Sequence, residues 1–357
     1  MIIFTSICGN YIPKAKSLAQ SVKQHIPDAT FVLSLLENEI PDYFADSSEF
    51  DRIILAKDSG FSNFNRFIFK HTIVEASTAV KAQVLKHLLE VFPDEDKFIY
   101  LDPDILVYSD FVELREALDN HSIIVCPHLL NSGNVDMEVS CLQHGVYNLG
   151  FLALARGQNA NAFLDWWAER LFWFCFDDMS RGIFTDQKWV DLAPSFFDVY
   201  IFKHHGYDFA TWSLKDSIMS EEDGSFFVDN QDLRFIHFSG IDSGTIDWAI
   251  EQWLNDQPNS PFRKLYREYT MILEKNGQSK IGKAPWSYNS YQSGKKVSNR
   301  VRRAIRNDYD VQFSVEDPFL YSNFHFFRKL LISKTKNNVK RMYSRFNSLI
   351  KRITKKK

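Results

Sequence analysis

Residues Lys97–Tyr108 read KFIYLDPDILVY, and this stretch decides how the chain is interpreted. The apolar run before its first aspartate has the length and composition of a buried strand, and a second apolar run follows its second aspartate. Asp102 and Asp104 therefore stand one residue apart between two buried segments, where unpaired charge is costly. Mg²⁺ or Mn²⁺ favours carboxylate oxygens and leaves coordination positions open for phosphate. The stretch predicts a metal–diphosphate site at the carboxyl end of a strand, and a plain Asp-Pro-Asp turn is the alternative.

Strands and helices alternate on the N-terminal side of this stretch. Ile2–Ile7 and Thr30–Leu36 are predicted as strands, with a helix over Ala15–His25 between them. A second helix around Glu75–Phe92 carries a clean apolar stripe and leads directly into the strand that ends at Asp102. This alternation predicts a parallel α/β sheet.

The composition is that of a globular protein. Of the 357 residues, 45% are hydrophobic and 24% are charged, which is enough for one large α/β domain with an appendage. The four cysteines are scattered, which argues against a disulfide framework or a zinc site and fits a reducing compartment. The first ten residues, MIIFTSICGN, have no basic start and no long apolar run, so we expect no signal peptide. No apolar run reaches the length of a membrane span.

Charge is unevenly distributed along the chain. The net charge is −3, yet residues 295–357 hold 18 lysines and arginines against 4 acidic residues, a net charge of +14. A basic tail on an acidic body indicates an anionic partner. Pro318–Ile353 adds an apolar helical stripe, which suits an anionic membrane surface. Packing on the protein's own acidic body is the alternative, and without a recognised motif no nucleic-acid partner is expected.

Six segments that occur in order carry a resemblance to a known family: TSICGNYIPKAKSLAQSV, STAVKAQVLKHLL, FIYLDPDILV, HGVYNLGFLAL, FTDQKWVDL and LRFIHFSG. In these segments the chain resembles the metal-dependent GT-A glycosyltransferases, most closely glycosyltransferase family 8 and its bacterial relatives in surface-polysaccharide synthesis. The resemblance implies an α/β fold with a mixed sheet flanked by helices. The resemblance covers residues 1–255, which are predicted as the catalytic domain. Composition and charge predict a helical region and linker over 256–294 and a basic amphipathic extension over 295–357.

The resemblance implies a third metal ligand. His237 ends the late strand within HFSG, and in the resembling family a histidine in this context binds the metal beside the acids equivalent to Asp102 and Asp104. A histidine at a strand end is the alternative. The family often places a lysine after its glycine to hold the diphosphate, whereas here Ile241–Ser243 follows Gly240 without one.

Three polar residues are expected beside the reacting sugar. Asn148 offers an amide that can donate to and accept from hydroxyl groups, and a local asparagine turn is the alternative. Asp186 and Gln187 match the family's pair beside the donor sugar, although Asp186 also suits a helix N-cap. We assign all three to catalysis. The loop His204–Leu214 is a candidate for the acceptor side or a lid.

Donor contacts are expected from two other regions. Lys81 lies on a predicted helix and can reach a diphosphate as a point charge, with a solvated surface lysine as the alternative. Thr5, Asn10 and Tyr11 lie at the end of the first strand, where α/β sheets bind ligands. They are the candidates for nucleotide contact.

These observations predict a function and leave rivals. The chain is expected to be a cytoplasmic bacterial glycosyltransferase, peripheral on the inner face of the cell membrane. It would move a hexose from a nucleoside-diphosphate sugar to a hydroxyl of a glycan or lipid-linked acceptor, with retention. A sugar nucleotidyltransferase needs a Gly-rich, Arg-containing loop where Gly9–Ile12 stands, and the motifs of dinucleotide and P-loop sites are absent. A catalytically degenerate scaffold of a polysaccharide assembly complex is the non-enzymatic rival.

Overall fold

A computed structural model of the chain describes residues 1–44, 47–336 and 340. The chain forms two compact units, each built from two segments: residues 1–60 with 74–286, and residues 61–73 with 287–357.

The first unit holds the strands of the described chain. In chain order these are β1 (Ile2–Ile7), β2 (Thr30–Leu35), β3 (Arg52–Leu55), β4 (Lys97–Leu101), β5 (Ile105–Val107), β6 (Ile123–Pro127), β7 (Tyr147–Ala155), β8 (Asp177–Asp178), β9 (Ile183–Phe184), β10 (Tyr200–Ile201), β11 (Phe209–Ala210), β12 (Met219–Glu222), β13 (Ser225–Val228), β14 (Gln231–Asp232) and β15 (Phe235–His237). The labelled helices of the two units together are α1 (Ile12–His25), α2 (Phe64–Phe69), α3 (Ile73–Ala79), α4 (Lys81–Val91), α5 (Val112–Asn120), α6 (Val135–His144), α7 (Gln158–Phe174), α8 (Gln187–Val190), α9 (Ala193–Phe196), α10 (Thr245–Leu254), α11 (Pro261–Lys275), α12 (Gln278–Ile281), α13 (Asn299–Ile305) and α14 (Tyr309–Gln312).

The central sheet is mixed. Its strand order is β10-β6-β7-β4-β1-β2-β3, and β1 to β4 pair in parallel. Strand β7 runs antiparallel to both of its neighbours, β4 and β6. The parallel sheet predicted from the alternation of strands and helices is thus interrupted by one reversed strand. The predicted fold class, a mixed sheet flanked by helices, is confirmed.

A small second sheet continues from the central one. Its order is β11-β15-β5, with β5 antiparallel to β15. Only Asp102, Pro103 and Asp104 separate β4 of the central sheet from β5 of the small sheet. The predicted site therefore lies where the chain passes from one sheet to the other.

Helices cover the sheets through apolar faces that the sequence spacing predicts. On α1 the buried side chains include Ile12, Leu18 and Val22, and they share a core with β1 and β2. On α4 they include Val84 and Leu88, part of the stripe recognised in the sequence. A second core lies under the small sheet, where α10 and α11 contribute their apolar faces.

The second unit is built around an arginine from the basic extension. Arg302 is only 1% exposed, and its guanidinium donates to the carbonyls of Phe69, His71 and Tyr288. Part of the positive charge of the extension is therefore buried inside the unit, where the guanidinium group donates hydrogen bonds to backbone carbonyls. Arg306 is also buried and donates to a backbone carbonyl of the same segment.

The helical C-terminal region is present, as the sequence implied. Residues 323–336 form a helix whose Phe326 and Leu330 are buried, while Phe324 and Leu331 are exposed. The rest of the predicted apolar stripe, from Val339 onward, lies outside the described residues. Among the described helices, none combines the length and apolarity needed to cross a membrane.

Candidate active site

Asp102, Asp104 and His237 form a cluster that can hold a metal ion. One ligand atom from each side chain lies within 4.8 Å of the others. His237 reaches the acids because β15 pairs with β5, which sets His237 opposite Ile105. Its Nε2 lies 3.3 Å from Oδ1 of Asp104 and 3.8 Å from Oδ2 of Asp102. Two carboxylates and one imidazole form a donor set that suits a divalent cation such as Mn²⁺ or Mg²⁺.

The charges of this cluster act strongly on one another. Burial by itself lowers the pKa of His237, but Asp104 and Asp208 raise it to about 10. Burial raises the pKa of Asp104, but His237 foremost brings it down to about 2. A concentration of negative charge stabilises the imidazolium here, and that same negative charge is what a divalent cation would balance.

Asp208 supports the cluster from behind, and sequence reasoning did not single it out. It is 3% exposed, and its Oδ1 lies 3.4 Å from Nδ1 of His237. Its φ of 52° lies in the left-handed region, an uncommon conformation outside glycine. Burial raises its pKa to about 6. A carboxylate on Nδ1 favours the tautomer that leaves Nε2 available to a metal.

Gly150 gives His237 its position. A Cβ at residue 150 would lie 2.4 Å from Cε1 of His237 and 2.6 Å from Oδ1 of Asn148. The backbone carbonyl of Gly150 also accepts from the amide of Asp102 at 2.7 Å, which joins β7 to the metal cluster. Strand β7 therefore presents a bare backbone surface where the imidazole packs.

Lys81 lies between two of the predicted acids. Its Nζ is 2.9 Å from Oδ2 of Asp186, 3.4 Å from Oδ1 of Asp102 and 2.8 Å from the carbonyl of Leu149. The lysine side chain is 2% exposed, and it lies over the ring of Tyr100. Burial raises the pKa of Asp186 even though Lys81 opposes that rise. The structure thus places Lys81 in a buried ion pair, and its contact with a diphosphate stays a prediction.

The two amide side chains of the predicted site bind backbone and a histidine. Asn148 accepts from the amide of Gly150 at 2.7 Å and lies 3.1 Å from Nε2 of His128. Gln187 accepts from the amide of Leu149 at 3.1 Å and donates to the carbonyl of His144 at 3.1 Å. Both amides line the same cleft, and their action on a sugar stays a prediction.

The backbone is strained just before the Asp186-Gln187 pair. Thr185 has a φ of 43°, a rare conformation for a β-branched residue. The indole of Trp167 donates to the carbonyl of Asp186 at 3.3 Å, and Trp167 is itself fully buried. Asp186 is the N-cap residue of α8, as its alternative role predicts, but its side chain makes no capping hydrogen bond. The carboxylate of Asp186 is buried against Lys81.

The predicted nucleotide contacts lie at the end of β1. Asn10 and Tyr11 belong to a short 3-10 helix over Gly9–Tyr11. Among the described residues, the buried Oγ1 of Thr5 and Oδ1 of Asn10 have no hydrogen-bond partner. The hydroxyl of Tyr11 donates to Asp242, and burial followed by that contact raises its pKa. Their role in nucleotide binding stays a prediction.

A wide cleft, with a volume of about 1930 Å³ including space open to solvent, brings most of the predicted site residues together, but Thr5, Asn10 and Tyr11 are not among the residues that line it. The metal cluster, the Lys81–Asp186 pair and both amides line it. Trp212, from the predicted acceptor loop, also lines it and stands edge-on to both His128 and His237. An open, largely apolar cleft with a small set of convergent charged groups has the features of a ligand site.

Comparisons with known proteins give a likeness and no family assignment. No model of a known protein family matches the chain. The uncharacterized protein YfnD of Bacillus subtilis is 25% identical over 209 residues, 57% of this chain. The match spans 66% of that relative's length.

Among solved structures, three glycosyltransferases are similar to this chain at 10% to 15% identity. The galactosyltransferase LgtC, in complex with donor and acceptor sugar analogs, matches over 80% of this chain and 98% of its own at 15% identity, with a TM-score of 0.44. The glycosyltransferase GlyE of Streptococcus pneumoniae matches over 82% and 66% at 15% identity, with a TM-score of 0.46. Mouse xyloside xylosyltransferase 1 matches over 67% and 97% at 10% identity, with a TM-score of 0.39.

Proposed function

We propose that this chain is a metal-dependent glycosyltransferase that moves a hexose from a nucleoside-diphosphate sugar to a hydroxyl of a glycan or lipid-linked acceptor. The observation that carries the proposal is the cluster of Asp102, Asp104 and His237 in the wall of a cleft. The buried pair of Lys81 and Asp186 lies beside it. Hard carboxylate ligands next to fixed polar groups suit a reaction in which a diphosphate leaves a sugar.

Each residue has a task in this reaction. Asp102, Asp104 and His237 would hold Mn²⁺ or Mg²⁺, which neutralises the charge that develops on a leaving diphosphate. Asp208 holds the imidazole from its far side, at Nδ1. Lys81 fixes the carboxylate of Asp186, so that this group is rigid when a sugar hydroxyl meets it.

We propose retention of anomeric configuration from the resemblance in sequence, and the arrangement of the site bears on which retaining mechanism applies. A double displacement needs a free carboxylate as nucleophile near the sugar. The carboxylate of Asp186 is 3% exposed and bound to Lys81, which makes it a poor nucleophile. We therefore favour a front-face reaction, in which the leaving phosphate helps to deprotonate the acceptor hydroxyl. Assignment of the product anomer by NMR tests this, and an inverted product would contradict it.

The test of the function is a panel of nucleotide sugars with Mn²⁺, Mg²⁺ or EDTA, followed by thermal shift and by release of nucleoside diphosphate. A ligand at a hundred times its Kd stabilises a protein by about 2.7 kcal/mol, enough to detect. We expect one donor to stabilise the wild type only with metal, and D104N to lose that effect. D165N is the matched control, because Asp165 is a carboxylate on an exposed helix face.

The rival functions give different readouts in the same assay. A sugar nucleotidyltransferase would release no nucleoside diphosphate from a nucleotide sugar; when pyrophosphate is added, it would convert the nucleotide sugar to a nucleoside triphosphate and a sugar 1-phosphate. A degenerate scaffold would bind a donor without turnover, or bind none, in every metal condition.

We also propose that the second unit contacts an anionic membrane surface. On helix 323–336, Phe324 is 77% and Leu331 is 68% exposed on one face, and lysines and arginines flank them. Apolar side chains beside positive charge suit anionic lipid headgroups. We place the protein at the cytoplasmic face of the cell membrane, which agrees with four free cysteines in the described chain.

Co-sedimentation with vesicles of phosphatidylglycerol tests the membrane contact. We expect the wild type to bind them and not phosphatidylcholine vesicles, and the double variant F324S/L331S to lose binding. The matched control is V135S/L142S, which changes two similarly exposed apolar residues of α6. Equal binding by F324S/L331S and the wild type would contradict the proposal.

A further inference from the structure

Lys14 is a buried lysine whose partner, Asp242, stands on a loop that lines the proposed active site through Gly240 and Ser243. It lies in the first turn of α1, is 1% exposed, and has its Nζ 2.5 Å from Oδ2 of Asp242. The same ammonium lies 4.1 Å from the centre of the Tyr11 ring. A buried ammonium is costly unless a negative charge pairs with it, so this position is built to receive an anion.

The negative charge that pairs with Lys14 comes from Asp242, on a loop beside the metal cluster. Asp242 follows His237 by five residues, and its side chain is 50% exposed. Gly240 and Gly244 flank it with φ of 88° and 75°, conformations that glycine adopts without strain. Gly240 lines the cleft. The partner of Lys14 is therefore an exposed carboxylate on a short loop between two glycines.

The loop that holds Asp242 lies at the cleft of the metal cluster. Gly240 and Ser243, on either side of Asp242, line that cleft together with Asp104. The amide of Phe238, shortly before the loop, donates to the carbonyl of Asp104 at 2.8 Å. A diphosphate bound to a cation at Asp104 would thus lie near the loop that pairs with Lys14.

A diphosphate bound in the cleft needs a positively charged side chain in addition to the metal ion. Among the described residues that line the cleft, Lys81 is the one lysine or arginine. Its ammonium is already bound by Asp186, Asp102 and a carbonyl. The metal alone would then have to neutralise the two or more negative charges of a diphosphate, unless a second ammonium group contributes.

We propose that Lys14 binds the diphosphate of the donor, and that Asp242 occupies Lys14 until the donor displaces it. This inference rests on the proposed function. The carboxylate of Asp242 stands in for the phosphate oxygens, and the loop between Gly240 and Gly244 moves aside when the diphosphate arrives. No lysine is needed after Gly240, because the ammonium comes from α1 instead.

A purely structural ion pair makes the opposite prediction for one variant. If Asp242 only fastens its loop to α1, then D242N loosens the cleft and weakens nucleotide binding. If Asp242 competes with the diphosphate for Lys14, then D242N removes the competitor and tightens binding. The amide of D242N keeps an oxygen that can accept from the ammonium of Lys14, so this variant is expected to fold.

The experiment measures binding by calorimetry in the presence of Mn²⁺, with UDP, GDP, ADP and CDP and the matching monophosphates as probes. For the diphosphate that binds the wild type, we expect K14M to weaken affinity about 10- to 100-fold, the size of a lost charge-assisted contact. The matching monophosphate is expected to change much less. We expect D242N to tighten the diphosphate several-fold, and K14M/D242N to bind as weakly as K14M.

Several outcomes would overturn this role of Lys14. Unchanged diphosphate affinity in K14M, or weaker binding in D242N, would contradict it while leaving the proposed function intact. If K14M does not fold, the sign of the change in D242N decides. A wild type that binds none of the four diphosphates would contradict the proposed function and the role of Lys14 together.

Discussion

Replacing Lys81 by methionine should expose how much the buried pair beside the cleft stabilises the fold. The lysine side chain is 2% exposed and contacts Asp186, Asp102 and the carbonyl of Leu149. Methionine keeps most of the volume and removes the charge. Asp102 is 27% exposed and can regain water, but Asp186 is 3% exposed and cannot. Removing one partner of a buried ion pair costs about 3–5 kcal/mol, and we expect K81M to lie in that range.

The same helix supplies the control. Lys86 also pairs with an aspartate, with its Nζ 2.5 Å from Asp165, but the two side chains are 35% and 68% exposed. An exposed pair of this kind contributes about 0–1 kcal/mol. K86M therefore has the same substitution, on the same helix α4, with a cost expected below about 1 kcal/mol.

Urea unfolding followed by tryptophan fluorescence measures the difference. All eight tryptophans lie within residues 74–286, so the signal reports the first unit. At an m value of about 3 kcal/mol/M, K81M should lower the midpoint by about 1–2 M, and K86M by less than about 0.3 M. Adding D186N to K81M removes the stranded charge and should recover part of the loss. Equal midpoints for K81M and K86M, or no recovery with D186N, would refute this reasoning.

Three further substitutions test other parts of the site. G150A places a Cβ 2.4 Å from His237, so we expect it to weaken Mn²⁺ binding measured by calorimetry; G157A, which meets nothing within 4 Å, should bind as the wild type does. T185G relieves a φ of 43°, worth on the order of 1 kcal/mol, and should raise the urea midpoint while lowering turnover. Burial lowers the pKa of His128 from 6.5 to about 4, so between these values the unfolded chain binds a proton that the folded chain does not. Stability should fall as pH drops through this window, by at most about 3 kcal/mol, and H128Q should flatten that slope; an unchanged slope would contradict the assignment.

The sequence predicted the elements that have a strong local pattern. The alternation of apolar strands with amphipathic helices predicted β1, α1, β2 and one helix around Glu75–Phe92, which the structure divides into α3 and α4. These elements are predictable because a period of two or of 3.6 is visible in neighbouring residues. The placement of the acids after β4 beside the late histidine came from the resemblance in sequence and not from a local pattern. The reversed direction of β7 is not local, since it depends on which strands it pairs with.

Asp208 and the pair of Lys14 and Asp242 could not be predicted from the sequence, because their contacts also depend on how distant segments pair. Asp208 lies in a loop whose aromatic and histidine residues attracted attention, and a single aspartate there carries no spacing signal. Its approach to His237 depends on the pairing of β11 with β15. The pair of Lys14 and Asp242 joins residues 228 positions apart. Only the folded chain brings such residues together.

The passage from β4 to β5 has a consequence for metal preference. Asp102 belongs to the end of the central sheet, whereas His237 belongs to the small sheet, and Phe151 of one stacks on Phe235 of the other with ring centres 5.7 Å apart. The spacing of the metal ligands therefore depends on how the two sheets pack against each other. Substitutions at the aromatic contact between the sheets can change this spacing, and with it the preferred size of the cation, while every ligand stays unchanged.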